Sequence, residues 1–373
     1  MELADYHTLR KLPTASGALW VKPGAPGQDD PAYALLARTA EPRGRVLDLN
    51  PGVGMALAGA LARGLEVHAW EDRRPALRAL EAASAQEPAL HVHAALPWEV
   101  PEAAFDTALL VLGAERGNDW VRAQLAAAAR ALKPGALLWL AGDKKLGFER
   151  YLGWTRKLIG PGEVVARERG RRVALLERSE SPAPEPAPQR TTITARLRGR
   201  EIAFSVGPGV FSANGVDPAS LLLLEHLPDE LRGARVLDLG AGYGALSLPL
   251  ALEGAHTTLL ESQLASVRCA EASFAAAGAQ AELHHSDVDE ALQKDEEYDM
   301  VISNPPFHVG GRVVLDVAKA FVAAAHRRTR PGGRFYLVAN PFLKYEVWMR
   351  DRFGNVRTLY ADRYKVLLSV KPR

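Results

Sequence analysis

The chain repeats itself, and this constrains its fold more than any other feature. Asp48 and Asp238 each end an apolar run and stand 190 residues apart, as do Glu71 and Glu261. Pro134-Gly135 returns as Pro331-Gly332 at an offset of 197, and Asp30-Pro31 as Asp217-Pro218 at 187. Near-constant offsets across four landmarks mark an internal duplication. Whatever one half folds into, the other half must fold into as well.

Each copy alternates buried-strand signals with helical stretches. In the first, residues 45–49, 66–70, 91–94, 105–112 and 136–141 read as strands and 55–63 as the helix after the first of them. Residues 163–169 and 173–178 form a closing hairpin around Gly170, with 366–370 the counterpart of its last strand. Asp30 and Asp217 each precede a proline and are placed to cap a helix. Residues 191–206 predict two strands around Arg198-Gly199-Arg200. The fold class expected is α/β, two tandem Rossmann-like domains with doubly wound, mainly parallel sheets. Residues 179–188, with alternating prolines, read as an extended tether. The boundaries expected are 1–178 and 191–373, with 179–190 between them.

Composition narrows the setting. A hydrophobic fraction of 47% is that of a soluble globular protein, and a net charge of +2 leaves any nucleic-acid contact to local patches. One cysteine, Cys269, excludes an internal disulfide framework and fits a reducing cytoplasm. The N-terminus lacks the order of a signal peptide, and no apolar run approaches the ~18 residues of a membrane span. Paired histidines such as His284-His285 lack metal-ligand spacing, so no metal is expected.

The chemistry lies in the second copy. The run from Val236 to Leu239 enters Gly240-Ala241-Gly242-Tyr243-Gly244, a strand running into a turn with its backbone open to a ligand. Glu261, 23 residues beyond Asp238, ends the next strand, where a carboxylate accepts both ribose hydroxyls. NAD sites share this plan. The Gly-x-Gly-x-Gly spacing, Asp238 before the turn and a further acid at Asp287 favour S-adenosylmethionine. Asp238 is placed for the methionine amino group and Asp287 for the adenine amine, with a helix cap as the plainer reading of Asp287. Asn304-Pro305-Pro306-Phe307 is the sharpest signal. An exocyclic amine on a base is a poor nucleophile because its lone pair is delocalised. The Asn304 side-chain oxygen and Pro305 carbonyl can accept both its protons, the prolines stiffen the turn, and Phe307 offers a face for a flipped base. In the first copy Gly240 is replaced by Asn50 and Ala241 by Pro51, and nothing answers to Asn304 through Phe307.

These motifs together resemble class I S-adenosylmethionine-dependent methyltransferases that act on amines. With the duplication, Pro208-Gly209-Val210-Phe211-Ser212 and the 142–148 segment, the chain is similar over nearly its whole length to ribosomal RNA guanine-N2 methyltransferases of the RsmC and RlmG types. That resemblance implies a catalytic second domain and a degenerate first one. It implies cofactor contacts from Ser212, Asp217, Asp238, Gly240, Ala241, Gly242, Gly244, Glu261, Ser262, Asp287, Val288 and Asn304, with S-adenosylhomocysteine as product. Asn304, Pro305, Pro306 and Phe307 would face the target amine. The expected partner is 16S rRNA within the 30S subunit, with no membrane and a monomeric chain; 23S rRNA, adenine N6 and protein glutamine are the alternative targets. The basic runs Lys144-Lys145, 167–172 and 326–330 suit RNA, though each alone reads equally as a solvated face. Tyr243, Trp348 and His308 are taken as packing.

Overall fold

The structure, a computed structural model, describes residues 2–14, 17–180, 190–306, 308–309, 312–313 and 315–373. Most of the expected tether, 181–189, and Phe307 lie outside the described residues. The chain forms two compact units, Leu9–Gln189 and Arg190–Arg373, the latter joined by Met1–Thr8. The first eight residues thus belong with the second copy, whereas sequence order had assigned them to the first.

The first unit holds a seven-stranded sheet: β1 (Val46–Asp48), β2 (Val67–Glu71), β3 (Leu90–Ala94), β4 (Phe105–Val111), β5 (Leu132–Asp143), β6 (Gly162–Glu168) and β7 (Arg171–Glu177). The second repeats it as β8 (Arg235–Leu239), β9 (His256–Glu261), β10 (Glu282–His285), β11 (Tyr298–Ser303), β12 (Thr329–Ala339), β13 (Arg357–Ala361) and β14 (Lys365–Val370). The spatial orders are β3-β2-β1-β4-β5-β7-β6 and β10-β9-β8-β11-β12-β14-β13. Five strands of each sheet are parallel, and the last two add antiparallel. Helices on both faces bury the central strands, which therefore read as unbroken apolar runs. The two copies keep the same polar pins. The Arg45 amide donates to Asp106 Oδ2 at 2.8 Å and the Arg235 amide to Asp299 Oδ2 at 2.7 Å.

Asp30 and Asp217 cap the helices Pro31–Thr39 and Pro218–Glu225 as their sequence implies. The helix expected over 55–63 is regular only over Ala58–Leu61. Ahead of it the Gly54 amide reaches back to Pro51 O and Leu57 to Gly54 O, winding that stretch into tight turns. The second copy likewise waits until Ser247–Leu252. Cys269 is buried in the helix Leu264–Ala277, and burial pushes its thiol up to about 11, consistent with packing. Trp348 packs edge-on against Tyr345. Among the described residues no helix is long and apolar enough to cross a membrane.

The basic run 326–330 is not a solvent face throughout. Arg328 is 1% exposed and donates through Nε to Asp289 Oδ2 at 2.7 Å, while Arg327 binds the same oxygen. Burial opposes charge on Asp289, but hydrogen bonds from His7 and Arg328 and the two guanidinium charges outweigh it and hold the carboxyl at about 2. Removing it strands a buried cation, so Asp289→Ala is expected to destabilise this unit by about 3–5 kcal/mol. A depressed pKa gives stability that is full above the unfolded value of 3.8 and lost as pH falls through about 2. In urea titrations the gap between wild type and Asp289→Ala should therefore hold at pH 5–7 and narrow as pH falls from about 4 to about 2.

Candidate active site

The second copy's site is built at the carboxyl ends of β8, β9, β10 and β11. At the tip of β8 the chain turns through Gly240 with φ 75°. A Cβ there would lie 3.1 Å from the Phe321 ring, so glycine is favoured both by conformation and by the helix side chain packed against the turn. The Gly240 and Ala241 amides both donate to Leu260 O, at 2.9 and 3.1 Å. A ligand crossing this turn meets its bare backbone surface rather than those two donors. The Gly242 amide donates to Glu261 Oε2 at 2.9 Å, tying the turn to the acid of the next strand. Gly244 serves packing: a Cβ would strike the Phe274 ring at 2.9 Å.

Three carboxylates line this end of the sheet. Asp238 is fully buried; Ser247 Oγ donates to its Oδ2 at 2.6 Å, and its Oδ1 is buried with no partner among the described residues. Burial, helped by the charge of Glu261, pushes its pKa up to about 7 against the Ser247 bond. That orphaned oxygen fits a ligand's ammonium group. Glu261 Oε1 accepts from the Gln263 amide at 2.8 Å and the Ser262 hydroxyl at 3.3 Å, and Oε2 from the Gly242 amide, which sets the carboxylate and leaves Oε2 the freer oxygen for a ribose hydroxyl. Asp287 is buried, and Tyr6 Oη donates to its Oδ1 at 2.9 Å. No helix follows Asp287, so the cap reading falls away. Val288 holds φ 57°, rare for a β-branched residue, and Ser286 Oγ braces it by bonding Val288 O at 3.1 Å and accepting from the Ala291 amide at 3.2 Å. Ser212 is also left-handed, at φ 55°. Strained backbone thus falls on two positions expected at the cofactor.

Asn304 follows β11, which Ser303 Oγ ties to Leu239 O of β8 at 2.7 Å. Its Nδ2 donates to Asp217 Oδ2 at 2.9 Å and Ser220 Oγ at 3.0 Å. Two acceptors fix which end of the amide is which, so the side-chain oxygen is the end left to accept. Asp217, expected at the cofactor, therefore sits against the Asn304 amide while capping its own helix through Ala219 and Ser220. Pro305 is buried and Pro306 exposed. Burial pushes the Tyr243 phenol up, with the nearby Asp217 charge adding to it. Sequence reading missed Ser220 and Tyr6. Ser220 stands one turn into a capped helix, a position legible in retrospect; Tyr6 carries no signal at all.

The first copy shows the same crevice closed by its own residues. Arg73, two residues past Glu71, donates from Nε to Glu71 Oε1 and from Nη2 to Oε2, each at 2.8 Å, and reaches Asn50 Oδ1. Its guanidinium thus occupies the acid that a ribose would need. The Val53 amide donates to Pro26 O at 3.0 Å, drawing the preceding segment onto the turn. The Ala95 amide bonds Glu71 O as the Ser286 amide bonds Glu261 O, which places Leu96 where the second copy has Asp287. Ribose and adenine acceptors are blocked or gone.

Comparison with known proteins places this geometry. The methyltransferase small domain family matches residues 201–368. The ribosomal RNA small subunit methyltransferase C of Hahella chejuensis is 29% identical over 350 residues, covering 92% of this chain and 98% of that one. The Pseudomonas putida protein of the same description is 32% identical over 278 residues, covering 72% and 80%. A solved structure described as the T. thermophilus 16S rRNA N2 G1207 methyltransferase (RsmC) in complex with AdoMet and guanosine is 49% identical, covers both chains completely and superposes with a TM-score of 0.94.

Two outcomes are expected in calorimetric titration with S-adenosylhomocysteine. The full chain should bind one equivalent, not two, because Arg73 fills the first crevice. Affinity should rise from pH 6 to pH 8, since a carboxyl held near 7 must ionise to pair with the ligand's ammonium. Asp238→Asn should flatten that pH dependence.

Proposed function

The chain belongs to the ribosomal RNA small subunit methyltransferase C family, and we propose that it transfers a methyl group from S-adenosylmethionine to the exocyclic N2 amine of a guanine in 16S rRNA. The observation that carries the reading is the clamp on Asn304. Asp217 and Ser220 take both amide protons' worth of donation, so Asn304 presents its oxygen, and the Pro305 carbonyl supplies a second acceptor beside it. Accepting both protons of the guanine amine draws its lone pair out of the ring and aims it. The bound sulfonium supplies an electrophilic methyl carbon. Nitrogen bonds that carbon as the carbon–sulfur bond breaks, and the amine's surplus proton passes to water after transfer. No strong base is needed; catalysis comes from position and from preorganised acceptors.

Glu261 would bind the ribose, Asp287 the adenine amine and Asp238 the methionine ammonium, while Phe307 would stack on the flipped base. The substrate form we favour is the 30S subunit, with the chain acting as a cytoplasmic monomer because the duplication already supplies a second copy of the fold. Labelled cofactor offered to undermethylated 30S subunits, 50S subunits and free rRNA tests this directly. Expected is N2-methylguanosine from 30S, at the guanine the 49% identical relative is named for. Label in 50S alone, or in N6-methyladenosine or protein, would refute it. Asn304→Ala is expected to lower kcat at least about 100-fold while cofactor affinity stays within a few-fold, and Asp217→Asn to lower kcat about tenfold.

A further inference from the structure

The catalytic unit is completed by the far end of the chain. Leu3 and Tyr6, on the short helix Leu3–His7, are buried in the same apolar cluster as Leu237, Leu260 and Val288. Polar ties fasten this segment. Glu2 accepts from Arg352 at 3.0 and 2.7 Å, His7 Nε2 lies 3.5 Å from Asp289 Oδ1, and Tyr6 Oη donates to Asp287 Oδ1 at 2.9 Å. Tyr6 is 1% exposed, and its one side-chain polar atom ends on the acid read above as the adenine acceptor.

We propose that Tyr6 is a positioning residue of the cofactor site, holding the Asp287 carboxylate in the orientation that accepts the adenine 6-amine. This rests on the reading of Asp287 given above. A buried carboxylate needs donors to stay ionised, and a donor fixed in a packed ring restricts how the carboxylate turns. Asp287 sits between a strand end and the left-handed Val288, and the bond from Tyr6 braces its side chain from outside that loop. The ring supports the same loop through the shared cluster. Cofactor recognition in the second copy therefore depends on residues that precede the whole first copy in sequence.

The test uses the full chain, with S-adenosylhomocysteine and its analogue lacking the 6-amino group as calorimetric ligands. Tyr6→Phe keeps the ring and removes only the hydroxyl. It is expected to weaken S-adenosylhomocysteine binding about tenfold and leave the analogue within about twofold, with kcat at saturating cofactor unchanged. Glu2→Gln, which loosens the segment without touching Asp287, should show no ligand-specific change. If Tyr6→Phe weakens both ligands equally, or neither, the proposal fails and Tyr6 is a packing residue. Wild type preferring neither ligand, or keeping its preference in Asp287→Ala, would instead remove the underlying reading of Asp287. The two failures are thus distinguishable.

Discussion

Parallel pairing of β8 with β11 is the constraint on which the site depends. It sets Val236, Leu237 and Asp238 against Met300, Val301 and Ile302, so both strands release their loops at the same end of the sheet. One loop is the glycine turn that can pass a cofactor; the other is the Asn-Pro-Pro turn that can address an amine. Ser303 Oγ on Leu239 O holds the two strand ends together. The order β10-β9-β8-β11 then brings the carboxylates of β9 and the loop after β10 to the same rim. A crevice at the carboxyl ends of strands where the order reverses is what doubly wound sheets provide for a nucleotide.

The duplication shows how a fold survives the loss of its site. Both copies retain the strand order, the amide-to-aspartate pin and a buried aspartate near pKa 7, Asp48 and Asp238. These features serve the sheet or tolerate the loss of a ligand. The first copy changed where a ligand would have met it. Arg73 neutralises Glu71 from within, and that internal pair satisfies a buried acid that would otherwise need a partner. Gln263, at the equivalent position of the second copy, offers its backbone amide to Glu261 and leaves the carboxylate open. Arg73 in place of Gln263 is one of the changes that close the crevice, together with Leu96 where the second copy has Asp287.

Electrostatics in the second copy divides along the same rim. Asp289 Oδ2 takes both Arg327 and Arg328, His7 lies 3.5 Å from Oδ1, and the carboxyl is held well ionised; it belongs to the fold. Asp238 is starved of donors and held near neutrality, which suits a group that completes its hydrogen bonds only with a cation from a ligand. Asp217 does two tasks, capping a helix and orienting Asn304, so a single carboxylate couples local helix stability to the geometry of the proposed methyl acceptor site.

Much was legible in the sequence because its signals are local. Apolar runs, the glycine turn, the acid after the second strand and Asn304-Pro305-Pro306 each encode short-range geometry, and repetition at a fixed offset doubled the signal. The helix expected over 55–63 came out shorter because tight turns, each amide bonding the carbonyl three residues back, compete with it there. What sequence order could not supply were contacts between residues distant along the chain. Arg73 inside the first crevice, Ser220 beside Asn304 and Tyr6 on Asp287 have no spacing signature, since each depends on which surfaces the packed sheets bring together. The sequence by itself determined the two sheets and the class of cofactor, and it named the residues proposed for the site. Only the tertiary structure decided which partner each buried polar group meets, because burial makes every donor and acceptor choose a neighbour and the choice lies in space rather than along the chain.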